Sequence, residues 1–253
     1  MNYFDSTSIR TAIVTGASSG IGAATARRLA SAGYAVSLVA RRSDRLEALA
    51  REIRAEGRSA TVIPADLADA TNALAVVEQA TQESGRLDAV VNASGVMLIG
   101  SSVEQDASEW ERMIDVNLRG LLHLTKACLP SLLETAKSHQ VATDVVNVSS
   151  VAGRVVAPMT AVYTATKFAV TAATEAWRQE FAGTGVRFSV IEPGFVATEL
   201  GSFQEATQQF YDMMSTDHEI LRADDVASAV EYVITSPARV AINEIVIRPA
   251  HQA

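Results

Sequence analysis

One cysteine, six prolines and four histidines in 253 residues are small numbers, and each excludes something. A lone Cys128 allows no internal disulfide, which fits a reducing compartment and an expected cytoplasmic location. It lies in the apolar stretch Leu121–Leu129 and reads as a small core residue rather than a nucleophile. The histidines are scattered, with no HExxH pair and no Cys/His cluster, so no metal site is expected. No apolar run approaches the length of a membrane-spanning helix. The opening MNYFDSTSIR lacks the apolar core of a signal peptide. Basic residues are the minority, 21 Lys+Arg against 29 Asp+Glu, a net charge of −8. A chain of that balance is a poor partner for nucleic acid or an anionic membrane, since both demand a basic face.

With 48% hydrophobic and 20% charged residues, the composition is that of a globular protein. The length suits one large α/β domain, residues 1–253. The charge is unevenly spread. Residues 1–60 hold nine Lys/Arg against five Asp/Glu, a net of +4, and the remainder carries −12. Solvated helix faces account for most of that, but the basic end raises the question of which anion it meets.

Short β-branched runs alternate with helical patterns along the chain. Strands are expected at Thr11–Thr15, Ala35–Val39, Ala60–Ile63, Ala89–Asn92, Asp144–Val148, Arg187–Ile191 and Ile242–Ile247. Helices are expected over about 21–32, 44–56, 70–84, 109–135, 162–182 and 223–235, with Pro130 as a kink or break in the fourth. This alternation implies βαβ units: a single doubly wound α/β domain, a Rossmann fold with a seven-stranded, mainly parallel sheet. Ligands in such sheets bind beyond the carboxyl ends of the strands, and the motifs below fall there or on the helix that follows.

The first strand runs into Thr15-Gly16-Ala17-Ser18-Ser19-Gly20-Ile21-Gly22. Glycines here permit a tight turn and a close backbone approach, and the next helix presents its N-terminus to phosphates. The spacing is GxxxGxG. An ordinary strand–helix turn would also use glycine, but the position after the first strand favours dinucleotide binding. The second strand ends Ala40-Arg41-Arg42, with no carboxylate for a ribose 2′-hydroxyl and two guanidiniums suited to a phosphate, so NADP(H) is expected. Asp44 is a competing acid but reads better as a first-turn helix residue.

Tyr163 and Lys167 form a YxxxK pair, which shares one helix face. An ammonium beside a phenol favours the phenolate and lowers its pKa. Alone, the pair also describes an ordinary amphipathic helix. Ser150 closes the fifth strand, 13 residues before Tyr163. Taken with TGASSGIG, Asn92-Ala93-Ser94-Gly95, Asn117-Leu118-Arg119-Gly120 and Pro193-Gly194, these residues resemble the short-chain dehydrogenase/reductase family over nearly the whole chain.

That resemblance implies roles. Tyr163 is the general acid or base, and Ser150 rather than Ser149 hydrogen-bonds the reacting oxygen. Lys167 lowers the Tyr163 pKa and holds the nicotinamide ribose, while Asn117 anchors a proton relay. Gly16, Ser18, Ser19, Gly20, Ile21 and Gly22 meet the cofactor phosphates, and Asp66 and Leu67 meet adenine. Asn92, Ala93 and Gly95 pack along the cofactor; Pro193, Gly194, Val196 and Thr198 frame the nicotinamide. The family usually has NNAG where this chain has Asn92-Ala93-Ser94-Gly95, so a second Asn is missing at Ala93. Family members are usually homodimers or homotetramers.

A substrate lid is expected at about 199–221. Phe195, Phe203 and Tyr211 are candidate pocket residues, although the aromatic and Met residues of this segment would equally serve as a buried helix stripe. No Lys or Arg occurs from Phe188 through Leu221, while the lid carries Glu199, Glu205, Asp212, Asp217 and Glu219, which disfavours an anionic substrate. Arg154, in the loop between Ser150 and Tyr163, points the other way as a candidate carboxylate clamp or else a surface residue. The run Ser150–Arg154 and the ending Glu244–Gln252 resemble bacterial members acting on 3-hydroxy acids such as serine, or on an aldehyde in clavulanic acid biosynthesis. The expected activity is interconversion of an alcohol with its ketone or aldehyde. Amino alcohols or 3-hydroxy acids are narrower options, and a non-catalytic NADP-sensing protein is the rival from another class. An epimerase or dehydratase is a distant third.

Overall fold

The computed structural model describes residues 9–200, 204–205, 207–209, 212 and 219–252. Strand β1 is Arg10–Thr15, followed by helix α1, Gly20–Ser31. Then come β2 (Tyr34–Ala40), α2 (Ser43–Ala55), β3 (Ala60–Pro64), α3 (Ala70–Thr81) and β4 (Ala89–Asn92). Helices α4 (Ala107–Ile114) and α5 (Gly120–His139) precede β5 (Thr143–Val148), and α6 (Ala161–Glu180) precedes β6 (Val186–Pro193). Short strands β7 (Val196–Ala197) and β8 (Leu221–Arg222) pair with each other, and α7 (Ala223–Thr235) leads to β9 (Glu244–Ile247).

The main sheet has seven strands in the order β3-β2-β1-β4-β5-β6-β9, each pairing parallel. This is the doubly wound Rossmann architecture expected from the alternation. Its central strands are buried on both faces, with Asp144 and Asn147 buried among the valines of β5. Period-2 alternation splits β1 between two cores. Ala12 and Val14 join Leu29, Leu46 and Val230 on the face covered by α1, α2 and α7. Ile13 joins Val76, Leu124 and Phe188 on the opposite face. The chain builds outward from β1 to β3 and then crosses back to β4. The β1–β4 junction is therefore the switch point, where a cleft opens beyond the carboxyl ends.

The fourth expected helix differs from its reading. Pro130 does not break the element, since α5 runs through it from Gly120 to His139. The interruption lies earlier, where Asp115–Arg119 widens into a π turn between α4 and α5. Such a turn inserts an extra residue into the helical ladder and re-aims the side chains around it. It carries Asn117.

At the opposite ends of the strands, two buried ion pairs tie the sheet together. Arg86 pairs with Asp88, which also accepts from the Thr11 backbone N–H at 2.9 Å. Arg187 grips Asp144 through two bonds of 2.8 Å.

Candidate active site

A cavity of about 460 Å³ opens along the carboxyl ends of β1, β4, β5 and β6. Its floor at one end is the turn after β1, lined by Gly16, Ser18, Ser19, Gly20 and Ile21. Gly16 has a φ of +66°, and a Cβ there would lie 2.7 Å from the Ala93 carbonyl oxygen. Gly22 sits beneath, and its Cβ would fall 2.4 Å from the Gly16 oxygen. The turn therefore closes tightly on itself only with hydrogen at both positions. The Thr15 hydroxyl accepts from the Ala93 and Ser94 backbone N–H groups at 3.0 and 3.2 Å, joining this turn to the loop after β4. What remains is a concave backbone surface at the start of α1, the form of an anion site.

Both arginines expected beside this turn line the cavity, with different attachments. Arg41 is mostly exposed and lies 3.9 Å from Asp66. Arg42 donates to the Ser18 hydroxyl through Nε and Nη2, to Ser19 through Nη2 at 2.8 Å, and to Glu199 through Nη1 at 2.9 Å. Arg45, which no sequence motif marks, donates to both Glu199 oxygens at 2.6 and 2.8 Å. The two guanidiniums hold the Glu199 carboxyl below the usual carboxylate range. Asp66 and Leu67 border the same end, with Leu67 packed against Gly120.

At the other end Ser150, Tyr163 and Lys167 line the cavity together. Ser150 follows β5 and caps a short 3-10 turn, accepting from the Ala152 N–H at 3.1 Å. Tyr163 and Lys167 rise from the first turns of α6, each 5% exposed. Burial pushes the phenol up to about 12, against the opposing pull of Ser150. Lys167 Nζ lies 5.8 Å from the Tyr163 ring centroid and donates to the Val148 carbonyl at 3.0 Å. Burial pushes this ammonium down to about 8. The upward direction at Tyr163 differs from the lowering expected of a nearby ammonium: desolvation of the phenolate is the largest influence here. Ser149 points elsewhere, donating to the Lys167 carbonyl at 3.0 Å and pairing with Thr171.

Asn117 stands behind this group rather than in the lining. Its Oδ1 accepts from the Val96 N–H at 2.8 Å, and its Nδ2 donates to the Val96 carbonyl at 2.9 Å and to Thr166 at 3.2 Å. The π turn thus pins the loop after β4 to α6. Gly95 lies in the gap, where a Cβ would sit 3.7 Å from Asn117 Oδ1 and 3.9 Å from Lys167 Nζ.

Two expected residues are placed differently from their reading. The Asn92 side chain turns from the cavity into the sheet, donating to Asn147 at 2.8 Å and Thr125 at 3.1 Å. Ala93 and Gly95 do line the cavity. Arg154 is absent from the lining among the described residues; its guanidinium pairs with fully buried Glu192 and with Glu244. A buried carboxylate attracts that cation more strongly than open solvent does. Phe195 lines the cavity, but Phe203 and Tyr211 lie outside the described residues. Pro193, Gly194, Val196 and Thr198 complete the wall. Gln252 is a further wall residue, to which the sequence reading gave no role. Its Oε1 accepts from the Phe195 N–H at 3.0 Å and so ties the chain's end to the loop after β6.

Comparison with known proteins agrees with this geometry. The short chain dehydrogenase family profile matches residues 10–209. A glycine betaine reductase of Emericella nidulans is 40% identical over 243 residues, 95% of this chain but only 19% of that much longer protein. An uncharacterized oxidoreductase of Staphylococcus aureus is 36% identical, covering 94% of this chain and 96% of its own. The closed form of a serine dehydrogenase complexed with NADP+ superposes with a TM-score of 0.87 at 30% identity, over 96% of both chains.

Proposed function

The chain belongs to the short chain dehydrogenase family, and from that premise we propose that it is an NADP(H)-dependent oxidoreductase interconverting a primary or secondary alcohol and its aldehyde or ketone. The observation that carries this reading is the joining, in one cavity, of a glycine cradle that a side chain would fill and the buried Ser150–Tyr163–Lys167 group. The cradle and the start of α1 fit a pyrophosphate, and Arg41 and Arg42 fit a 2′-phosphate. The NADP+ complex of the serine dehydrogenase of like fold supports the same cofactor.

When bound, the nicotinamide supplies the two-electron redox chemistry. The chain supplies the rest. Ser150 donates to the reacting oxygen and holds it at the Tyr163 hydroxyl. With its phenol pushed up to about 12, Tyr163 is protonated at neutral pH and ready to give that proton to a forming alkoxide. Lys167 places a positive charge behind the phenol and would hold the nicotinamide ribose. Asn117 fixes the wall through which the proton is replaced, and Pro193, Gly194, Val196 and Thr198 shape the nicotinamide end.

Substrate polarity follows from the lining. Among the described residues, the cations lining the cavity are Arg41, Arg42 and Lys167, none of them on the substrate wall. That wall, with Met97, Val155 and Phe195, is apolar. Residues Phe188 through Leu221 hold no Lys or Arg. Glu199, the first acid of the proposed lid (199–221), is engaged with arginines and offers little to a substrate amine. A neutral carbonyl compound fits best. A 3-hydroxy acid is the second reading, favoured by the likeness to serine dehydrogenase.

NADPH consumption across neutral ketones and aldehydes, amino ketones and 3-oxo acids tests these readings together. Highest kcat/KM is expected on a neutral carbonyl. Tyr163→Phe should lower kcat by about a hundredfold to ten-thousandfold with NADPH binding retained. Cofactor binding without turnover on any carbonyl would instead favour a non-catalytic sensor. A homodimer or homotetramer accompanies this reading. Light scattering that returned the 26.8 kDa of one chain would refute it.

A further inference from the structure

The wall beside the 2′-phosphate arginines contains an anion of its own. Glu199 comes from the segment after β7, and Arg42 and Arg45 come from the start of α2, 157 and 154 positions away. The two sides meet over the glycine turn, where Thr198 also closes on Gly20, a Cβ there lying 3.2 Å from its Cγ2. Glu199 Oε2 is 2.9 Å from Arg42 Nη1, and Oε1 is 2.6 Å from Arg45 Nη1. Arg42 cannot swing away cheaply, because the Ser18 and Ser19 hydroxyls hold its other edge. Glu199 and Arg42 both line the cavity.

We propose that Glu199 is an internal anion occupying the 2′-phosphate site, and that the Glu199–Arg42–Arg45 contact, with Arg45 as an additional specificity-determining residue, sets how strongly this chain prefers NADP(H) over NAD(H). The inference rests on the NADP(H) reading above and deepens it.

The physical argument is an exchange. A phosphate monoester carries nearly two negative charges near neutral pH and a carboxylate carries one. Both seek the same planar guanidinium donors, and two anions crowded on them repel. A 2′-phosphate reaching Arg42 and Arg45 must therefore displace Glu199 at least in part. A cofactor with a plain 2′-hydroxyl makes no such demand and leaves the pair standing. Glu199 thereby weakens binding of the phosphorylated dinucleotide selectively, while Arg45 strengthens it. The groups are partly exposed, so each effect is limited by solvent screening.

The test is calorimetric titration of NADP+, NAD+ and 2′,5′-ADP into the wild type, Glu199→Gln and Arg45→Ala, with thermal unfolding confirming that each variant is folded. Glu199→Gln is expected to tighten NADP+ and 2′,5′-ADP by about two- to fivefold, and Arg45→Ala to weaken both by a similar factor, on the scale of one exposed ion pair. NAD+ should move by less than about twofold in either variant, because a hydroxyl does not compete for the arginines. Glu199→Gln binding NADP+ no better, or worse, while the wild type still prefers NADP+, would overturn this inference alone, making Glu199 a prop for the arginines. A wild type preferring NAD+ would overturn the cofactor reading and this inference with it.

Discussion

Lys167 is buried beside the reacting group, with its Nζ 3.0 Å from the Val148 carbonyl oxygen. Holding its charge there is costly. With the folded-state pKa at about 8 against 10.5 for the free side chain, the unfolded chain binds more protons between those values. Stability from this group therefore rises with pH across that window, and the full penalty stands below about pH 8. That penalty is about 3 kcal/mol, at 1.36 kcal/mol for each tenfold change. Lys167→Met removes it and loses one hydrogen bond of about 1 kcal/mol, so the variant should be more stable at pH 7 by about 1–2 kcal/mol while losing turnover. Urea midpoints for the two proteins at pH 7 and pH 10 check this, since the gap should narrow at the higher pH. Ser150, Tyr163 and Lys167 were legible in the sequence because their spacing is local: one strand end and one helix face. The direction of the Tyr163 shift was not, because burial comes from every element packed around it.

The glycine turn and the helix it opens act as one element. Gly22 lies in the first turn of α1, where its missing Cβ lets the helix press onto the Thr15 and Gly16 carbonyls. Gly22→Ala would bring a methyl to within 2.7 Å of two backbone oxygens, so the turn must open. Backbone displacement of this kind costs about 1–3 kcal/mol, and the cradle loses its shape with it. NADPH affinity in that variant should fall by tenfold or more, read by nucleotide fluorescence, with the far-UV spectrum retained. An unchanged affinity would mean the cradle does not hold the phosphates. Boundaries of α1, α2, α6 and α7 were readable to within a residue or two from apolar period. Pro130 does not end α5 because it lies on the exposed face, while Leu124, Cys128 and Leu132 on the buried face hold the helix against a residue that local propensity rejects.

The sheet as a whole is clamped at the end away from the cavity. Asp88 begins the approach to β4, accepts from the Thr11 N–H of β1, and pairs with Arg86, with both side chains at most 7% exposed. This joins the two strands that flank the switch point. Asp88→Asn leaves a buried guanidinium without its carboxylate, which should cost about 3–5 kcal/mol, read as a fall in the urea midpoint. The site lies at the far strand ends, so cofactor affinity in the folded variant should be nearly unchanged. A loss below 1 kcal/mol would show that the pair contributes little to holding the sheet together.

Alternation of strands and helices, the glycine turn after β1 and the Ser150–Tyr163–Lys167 spacing follow from local rules of period and chain direction, and the sequence alone determined them. The parallel order of the sheet followed from the same alternation, because crossover helices leave few other arrangements. Only the tertiary structure decided which charges meet. Arg154 found the buried Glu192 of β6 instead of a substrate, and Asn92 turned into the sheet toward Asn147. Glu199 crossed more than 150 positions to reach Arg42 and Arg45. Such partners depend on where packed elements point their side chains, and no spacing along the chain encodes that distance.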